Sequence, residues 1–213
     1  MRHMKELPAP YYDRGGITIY HGDARDILPL LPKVDLLLTD PPYGLGDKWT
    51  GGTWGANPMY AEARKWDILP SDDTIQLMLT KAKSAVVWGG NYFNLPPSRC
   101  WLSWEKSQRM ETMADFELAW TNLDRPCKAF TEARNPDGKR KHPTQKPISI
   151  MQWCLSFFPN AKTILDPFMG SGTTLVAAKA LGLRAIGIEL EEEYCKIAVQ
   201  RLAQDILDFG EVA

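Results

Sequence analysis

Seven short apolar runs rich in β-branched and aromatic residues recur along the chain, and most are separated by segments of helical spacing. In those segments apolar residues lie three or four positions apart, as in Ile75, Met78 and Leu79. The alternation predicts an α/β fold of Rossmann-like type, with helices covering both faces of a seven-stranded, mostly parallel sheet. The predicted strands are 17–20, 34–39, 85–88, 100–104, 116–120, 163–165 and 184–188.

The fourth and fifth runs differ from the rest because only a short polar stretch separates them. No helix fits there, so these two strands are predicted to form an antiparallel hairpin. Two segments fit neither pattern: the glycine- and tryptophan-containing stretch after Tyr43, and the basic stretch from Asn122 to Lys141. Both are interpreted as surface loops, which in compact domains commonly contact substrates.

A glycine-rich turn follows the sixth predicted strand, in the sequence TILDPFMGSGTT at residues 163–174. Gly170 and Gly172 let a ligand approach the backbone, and Ser171 or Thr173 can cap a helix that runs from about Gly172 to Gly182. A plain helix start is the structural alternative. The next strand, however, ends in Glu189, whose carboxylate can accept hydrogen bonds from both hydroxyls of a ribose, as in nucleoside-cofactor sites.

Asp166 opens this turn where a dinucleotide site would favour neutral or positive groups. A carboxylate repels a pyrophosphate but pairs with an ammonium group, and the third glycine of the dinucleotide fingerprint is absent. The turn therefore favours S-adenosylmethionine over NAD as the cofactor.

The apolar run 34–39 stops at two prolines, which cannot continue a sheet ladder, and so delivers Asp40 to the carboxyl edge of the sheet. Ligands of open α/β sheets bind at that edge.

The residues at this strand end have the chemistry to activate the exocyclic amine of a nucleobase. Such an amine is a poor nucleophile because its lone pair is delocalised into the ring. The Asp40 carboxylate and the Pro41 carbonyl can each accept one of its N–H groups, and Tyr43 can stack on the base. The alternative for Asp40 is a turn residue before prolines.

Charge and composition add little support for nucleic acid, because the net charge is −1 and the pI is near 6.3. Any DNA contact is expected from a local patch, with Lys128, Arg134, Lys139, Arg140 and Lys141 as the candidate residues, and a solvated loop as the alternative reading. A length of 213 residues with 44% hydrophobic content predicts one domain, 1–213.

Cysteine and histidine spacing gives no sign of a disulfide framework or a zinc site, so the four cysteines are interpreted as reduced and no metal is predicted. No run of residues is long and apolar enough for a membrane helix or a signal peptide, which predicts a cytoplasmic protein.

Taken together, the motifs TDPPY at 39–43, HPTQKP at 142–147 and DPFMGSGTT at 166–174 resemble those of the circularly permuted, β-class DNA amino-methyltransferases, including phage and prophage members. YHGD at 20–23 and GIEL at 187–190 give weaker support. Methyltransferases acting on RNA guanine or protein glutamine can carry a similar tetrad, but there the glycine turn precedes it. The order found here resembles that of the DNA enzymes.

The resemblance implies a role for each motif. Asp23 would lie near the cofactor adenine, Glu189 would hold the ribose, and the turn and the HPTQKP stretch would enclose the methionine moiety. The cofactor-binding residues expected on this basis are Asp23, Asp40, Thr144, Gln145, Lys146, Pro147, Asp166, Pro167, Phe168, Gly170, Ser171, Gly172, Thr173, Thr174 and Glu189. Asp40, Pro41, Pro42 and Tyr43 would form the catalytic tetrad.

The resemblance also implies the reaction: transfer of the methyl group of S-adenosylmethionine to the N6 of a flipped-out adenine in DNA. Aspartate at position 40 is usual for adenine, and serine for cytosine N4. Methylation of cytosine N4 and a catalytically idle cofactor-binding subunit are the alternatives, and a nucleotide-dependent oxidoreductase is disfavoured by Asp166. Only segments 106–141 and 44–65 have room for target recognition, so a homodimer, which would double that surface, is a further expectation. A restriction endonuclease partner is expected if the chain is the modification enzyme of a restriction system.

The strand end at residues 88–93, WGGNYF, is also similar to phage-type members of this family. Asn91 or Tyr92 can line a pocket there, but core packing is the predicted role of Trp88, Tyr92 and Phe93. Trp49 and Trp54 are the tryptophans predicted to contact DNA.

Overall fold

One mixed β-sheet forms the centre of the computed structural model, which describes residues 6–45, 67–108, 114–133 and 146–204. Nine strands lie within these ranges. They are β1 Tyr12–Arg14, β2 Ile17–His21, β3 Val34–Thr39, β4 Ala82–Trp88, β5 Trp101–Lys106, β6 Phe116–Thr121, β7 Lys128–Glu132, β8 Thr163–Asp166 and β9 Arg184–Glu189.

Five α-helices lie in the described ranges: α1 Ala24–Ile27, α2 Asp72–Thr80, α3 Ile148–Ser156, α4 Thr173–Ala180 and, after the last strand, α5 Glu192–Gln204. The start of α2 shows why they form where they do. The Ser71 hydroxyl accepts a hydrogen bond from the Thr74 amide at 3.3 Å, and Asp72 and Asp73 place negative charge in the first turn. Both features stabilise the positive end of a helix. None of the helices in the described ranges is long and apolar enough to span a bilayer.

The strands follow the order β1-β2-β9-β8-β3-β4-β6-β5-β7 across the sheet. The five from β2 to β4 in this order run parallel, whereas β6 runs antiparallel to β4 and to β5. The carboxyl ends of the parallel strands therefore share one edge with the first residues of β6 and the last residues of β5.

The core consists of two apolar clusters, one on each face of the sheet. Strand β3 supplies both, because Leu36 and Leu38 lie in one cluster and Leu37 lies in the other. Helices α3, α4 and α5 pack in the first cluster, and α1 and α2 pack in the second. A strand buried on both faces is continuously apolar, which explains the pattern of residues 36–38.

The α/β class, the parallel core and the antiparallel pairing of β5 with β6 are confirmed, and all seven predicted strands are present. The count of seven is wrong, because β1 and β7 add one strand at each end of the sheet. Both are edge strands with mostly exposed residues, so neither carries the apolar run that marks a buried strand. Strand β7 also corrects the interpretation of 122–141 as a loop throughout.

Candidate active site

The two motif-bearing strands β3 and β8 are neighbours in the sheet. Leu37 pairs with Leu165, and two residues further on the Thr39 hydroxyl donates a hydrogen bond to Asp166 Oδ1 at 2.7 Å. The tetrad beginning at Asp40 and the turn beginning at Asp166 thus leave the same edge side by side. The fold thereby brings together two segments that lie more than a hundred residues apart in the chain.

A buried lysine contacts the Asp40 carboxylate directly. Lys146 Nζ lies 2.6 Å from Asp40 Oδ2, and only 3% of the Lys146 side chain is exposed. The Tyr43 hydroxyl donates to the other oxygen, Asp40 Oδ1, at 2.5 Å and accepts from Lys146 Nζ at 3.0 Å. Each carboxylate oxygen of Asp40 therefore accepts a hydrogen bond from a side chain.

A second acid and a second lysine extend this contact into the sheet. Glu117, the second residue of β6, lies with Oε2 3.2 Å from Lys146 Nζ and Oε1 2.5 Å from Lys106 Nζ. The four side chains alternate in sign in the order Lys106, Glu117, Lys146 and Asp40, and they are called the ion-pair chain below. Alternation offsets the cost of burying each charge.

The pKa values of the ion-pair chain reflect burial and pairing acting against each other. Burial raises the pKa of Glu117, but the two lysines outweigh it and lower that pKa to about 2. Burial lowers the pKa of Lys146, but Asp40 and Glu117 outweigh it, so the pKa lies above its ordinary value. For Asp40, burial raises the pKa and Lys146 opposes the rise. Lys146 is accordingly an ammonium group at neutral pH.

The Tyr43 ring lies over the end of β4. It stacks on Tyr92 with ring centroids 5.0 Å apart, and a Cβ at Gly89 would lie 2.1 Å from Tyr43 Cε1. Gly89 also has a φ of +65°, which favours glycine. Asp67 fixes the backbone beyond the ring, because its carboxylate accepts hydrogen bonds from the amides of residues 43, 44 and 45 at 2.9, 3.0 and 2.8 Å.

The predicted packing role of the residues at the end of β4 is confirmed for Trp88, which is fully buried. It is wrong for Tyr92, which is 45% exposed and stacks on Tyr43 at the mouth of the site. The positive φ at Gly89 turns the chain outward before Tyr92, which explains the difference. Phe93 is partly buried against the second cluster.

The glycine turn joins β8 to α4 as predicted, with a φ of +50° at Gly170 and +78° at Gly172. Gly172 also packs closely on α5, since a Cβ there would lie 2.8 Å from the Ala198 Cβ. The predicted side-chain cap is wrong: Gly172 itself is the N-cap, with no capping side chain. The oxygens of Ser171 and Thr173 instead accept hydrogen bonds from the buried Arg201 at 2.7–3.1 Å.

Two carboxyl groups flank the turn, and burial raises the pKa of both. The pKa of Asp166 is about 6 and that of Glu189 is about 7, although both groups accept hydrogen bonds. Glu189 Oε2 accepts from the Gly170 amide at 2.9 Å, which ties the end of β9 to the turn. A buried acid favours a ligand that donates hydrogen bonds or carries positive charge. The ammonium group and the ribose hydroxyls of S-adenosylmethionine have that chemistry, so these residues fit the cofactor.

The remaining predicted cofactor residues fall into two groups. Asp23 lies one residue beyond Gly22, whose amide donates to the Glu189 carbonyl at 2.8 Å, so Asp23 is close to the end of β9. There it caps α1 and pairs with Arg25. Pro41, Pro147, Pro167 and Thr174 are buried, and Pro42 and Phe168 are partly buried, all at the same edge. Thr144 and Gln145 lie outside the described residues.

The predicted DNA-contacting residues lie mostly outside the described residues. Lys128 is exposed at the start of β7, at the margin of the sheet. Arg134, Lys139, Arg140, Lys141, Trp49 and Trp54 lie outside the described ranges. These contacts stay predictions.

The sequence reasoning missed Glu117, Lys106, Asp67 and Arg201. Glu117 was assigned only to a strand, because strand starts are not where α/β sheets usually carry chemistry. The available signal was the predicted hairpin itself: reversal of β6 brings its first residues to the edge that carries Asp40. A charged residue within the apolar run FELAW then calls for a partner of opposite charge.

Comparisons with known proteins identify the family of the chain. A family model of the N6/N4 class, described as DNA methylase, matches residues 72–200. YubD of Escherichia coli strain K12, which is named as a methylase, is 31% identical over 207 residues, covering 85% of this chain and 88% of that protein. The type II methyltransferase M2.DpnII of Streptococcus pneumoniae is 28% identical over 250 residues, covering 92% of this chain and 93% of that protein.

Solved structures show the same fold. The complex of M1.HpyAVI with SAM superposes with a TM-score of 0.60 at 24% identity, covering 87% of this chain and 100% of that chain. The cytosine-N4-specific PvuII DNA methyltransferase superposes with a TM-score of 0.59 at 15% identity, covering 95% and 92%. With a family match over more than half its length, the chain belongs to the S-adenosylmethionine-dependent DNA methyltransferases that act on adenine N6 or cytosine N4.

Proposed function

We propose that this chain methylates the N6 of adenine in DNA. The observation that carries the proposal is the position of Asp40: it leaves β3 beside the glycine turn, and Thr39 links the two strands through Asp166. An acceptor for an amine and a pocket for a cationic cofactor thus lie next to each other. The aspartate at position 40 favours adenine over cytosine through the resemblance of the tetrad to that of the adenine enzymes.

The tetrad makes the target amine a better nucleophile. The Asp40 carboxylate and the Pro41 carbonyl accept its two N–H groups, which makes the nitrogen more tetrahedral and directs its lone pair outward. S-adenosylmethionine, when bound, supplies a methyl group activated by its sulfonium charge. The amine lone pair forms the new N–C bond while the C–S pair stays on sulfur, and the nitrogen then loses one proton to solvent.

Access to Asp40 requires the target base to leave the duplex. Only 22% of the Asp40 side chain is exposed, so the amine of a stacked, paired base would not reach the carboxylate. Tyr43 can stack on the extruded base and recover part of the cost of flipping, which is a few kcal/mol. Lys128, together with Arg134, Lys139, Arg140 and Lys141, would hold the backbone phosphates.

The order of tetrad before turn fits a circularly permuted member of the family. A homodimer would double the recognition surface that segments 44–65 and 106–141 provide. A restriction endonuclease would be the partner of this chain if it is the modification enzyme of a restriction system.

The experiment is methyl transfer from labelled S-adenosylmethionine to unmethylated DNA, followed by nucleoside analysis. We expect N6-methyladenine from the wild-type chain, and a loss of at least about 100-fold for Asp40→Ala, the size seen when one essential acceptor or donor is removed from an active site. Asp35→Asn is the matched control, because Asp35 lies at the opposite end of β3 and binds the backbone amides of residues 162 and 163.

Three outcomes would contradict parts of the proposal. N4-methylcytosine would overturn the choice of base. Cofactor binding without any transfer would indicate an idle binding subunit. Equal losses of methyl-transfer activity for Asp40→Ala and Asp35→Asn would show that Asp40 takes no direct part in the reaction.

A further inference from the structure

The Tyr43 hydroxyl occupies a position between a hydrogen-bond acceptor and a hydrogen-bond donor. It donates to Asp40 Oδ1 at 2.5 Å and accepts from Lys146 Nζ at 3.0 Å. The hydroxyl thus satisfies two groups that face the same space. Any ligand that displaces it must also donate to Asp40 and accept from Lys146, since buried polar groups are costly to leave without a partner.

The edge of adenine offers this combination. Its N6 amine donates, and the adjacent ring nitrogen N1 accepts. We propose that Lys146 recognises the ring nitrogen next to the target amine, and that the Tyr43 hydroxyl holds this place until the base enters. Lys146 is then a specificity-determining residue that binds the base directly. This inference rests on the proposed function, because it takes the target to be an exocyclic amine.

The other contacts of Lys146 hold its ammonium group in place for this role. An ammonium has three N–H donors, and Lys146 has three acceptors among the described residues: Asp40 Oδ2, Glu117 Oε2 and the Tyr43 oxygen. The two carboxylates stay when Tyr43 leaves, so one N–H is released in a fixed direction. Asp40 Oδ1 is released at the same moment, which gives a matched donor and acceptor.

The surroundings of Tyr43 allow the hydroxyl to withdraw without opening the core. The ring stacks on Tyr92, which is 45% exposed, rather than on a buried side chain. The backbone of residues 43–45 remains fixed by Asp67. In this inference the Tyr43 side chain rotates to withdraw its hydroxyl, and the ring then stacks on the flipped base.

This arrangement excludes two of the four bases. Guanine and thymine present a carbonyl oxygen where adenine has its amine, and a ring N–H where adenine has N1. The carbonyl oxygen would face the Asp40 carboxylate, which is also an acceptor. The ring N–H would face the Lys146 ammonium, which is also a donor, so neither position could form a hydrogen bond. Cytosine has the same order as adenine, with N4 and N3, so Lys146 separates amino bases from oxo bases.

The test replaces single atoms of the base. After the methylated sequence has been mapped, oligonucleotides are made with adenine, 1-deazaadenine or 7-deazaadenine at the target position. We expect kcat/KM for 1-deazaadenine to fall about ten- to a hundredfold, the effect of losing one hydrogen bond to a charged group. The 7-deaza base keeps N1 and should stay within about twofold. Because 1-deazaadenine pairs poorly with thymine, flipping becomes easier, and a loss cannot be attributed to that step.

Lys146→Met identifies the partner of N1. The variant should be slower on adenine but should no longer distinguish adenine from 1-deazaadenine by more than about twofold, because the donor is gone. Lys83→Met is the control, since Lys83 pairs with Asp35 at the opposite end of the sheet and should keep the wild-type ratio. If Lys146→Met is unfolded at the assay temperature, the inference is tested by comparing kcat/KM of the wild type on the 1-deaza and 7-deaza bases.

Equal rates of the wild type on adenine and 1-deazaadenine would overturn the inference and leave the proposed function intact. A full 1-deaza penalty in a folded Lys146→Met variant would also overturn it, because another group would then bind N1. If cytosine proves to be the target, 3-deazacytosine replaces 1-deazaadenine, with the same expected loss. Absence of any methyl transfer to ordinary DNA would overturn the proposed function and this inference together.

Discussion

The two halves of the site differ in the groups that their buried acids contact. On the turn side, which comprises the glycine turn with Asp166 and Glu189, the acids accept hydrogen bonds from hydroxyl and amide groups and have raised pKa values. On the tetrad side, which comprises Asp40, Tyr43 and the ion-pair chain, each acid meets a lysine. The turn side is suited to a ligand that brings its own positive charge, and the tetrad side to a neutral base.

The difference indicates in which half the buried charges are already paired before ligands bind. The ion-pair chain is internally neutral and fixes Asp40 in one geometry, which is the requirement for electrostatic preorganisation. Within the described ranges no cationic side chain forms a salt bridge with the acids of the turn side, so a bound cation would supply their counter-charge. Loss of an acid should therefore harm folding on the tetrad side and binding on the turn side.

The largest effect expected from this comparison is on the tetrad side. Glu117→Gln should lower the free energy of unfolding by about 2–3 kcal/mol, because it leaves two buried lysines with one carboxylate fewer. Loss of one partner from a fully buried pair costs about 3–5 kcal/mol, and the lower figure reflects the 27% exposure of the Glu117 side chain. Urea denaturation measures the change.

The exposed Glu105→Gln on neighbouring β5 is the matched control and should change the stability by less than about 0.5 kcal/mol. A Glu117→Gln variant as stable as this control would show that the ion-pair chain contributes no net stability. The distinction between the two halves would then disappear.

On the turn side, Asp166→Asn should weaken binding of S-adenosylmethionine about ten- to a hundredfold, because a charge-assisted hydrogen bond becomes a neutral one. The melting temperature of the free protein should not fall, since the amide oxygen can still accept from Thr39 and no buried charge remains. Calorimetric titration and thermal melting measure the two quantities.

Asp35→Asn serves again as the control, with the reverse expectation of lower stability and unchanged affinity, because Asp35 holds backbone amides far from the turn. If Asp166→Asn loses stability and keeps its affinity, Asp166 is a structural acid and the turn-side account is wrong.

The smallest expected effect is that of pH, and its sign differs between the acids of the turn side and Glu117 of the tetrad side. Binding of S-adenosylmethionine should weaken about three- to tenfold per pH unit as the pH falls through 7 and 6, where Glu189 and Asp166 take up protons. Glu189→Gln and Asp166→Asn should each flatten this dependence. A flat profile in the wild type would show that neither carboxylate binds the cofactor in its ionised form.

The pH dependence of the stability of the free protein also distinguishes Asp166 and Glu189 from Glu117. The raised pKa values of Asp166 and Glu189 contribute stability that is present below their ordinary values of 3.8 and 4.5 and is lost as the pH rises through about 6 and 7. The lowered pKa of Glu117 contributes stability that is present above 4.5 and is lost as the pH falls toward 2. Unfolding free energies measured from pH 3 to 8, with and without Glu117→Gln, separate the two contributions.

Much of the turn side could be predicted from the sequence because its information is local. The strand, the two glycines with positive φ and the helix start are adjacent in the chain, and Glu189 follows at the end of the next strand. The cap was predicted wrongly, because the roles of Ser171 and Thr173 depend on Arg201, about thirty residues away on α5. Sequence patterns do not show which side chain competes for a hydroxyl.

The tetrad side was predictable only in part because its contacts are distant in the chain. Asp40 could be placed from the prolines that end β3. Its partner Lys146 lies 106 positions further along and was assigned instead to the cofactor, and Glu117 was not singled out. The position of Glu117 beside Asp40 depends on the direction of β6 and on the pairing of β6 with β4. Both are properties of the whole sheet, which local sequence patterns do not show. The fold class followed from periodicity, whereas the edge strands β1 and β7 lacked the apolar runs that periodicity detects.

The reversal of β6 also governs how such a site can be altered. Because β6 runs against β4, the connection from β5 leaves and re-enters the sheet at the edge that carries Asp40, between Lys106 and Glu117. Residues can be inserted or exchanged in that connection without shifting the register of any strand. On the proposed role of segment 106–141 in target recognition, target preference would therefore diverge through changes in this connection, while the Lys106–Glu117 salt bridge at its base stays unchanged.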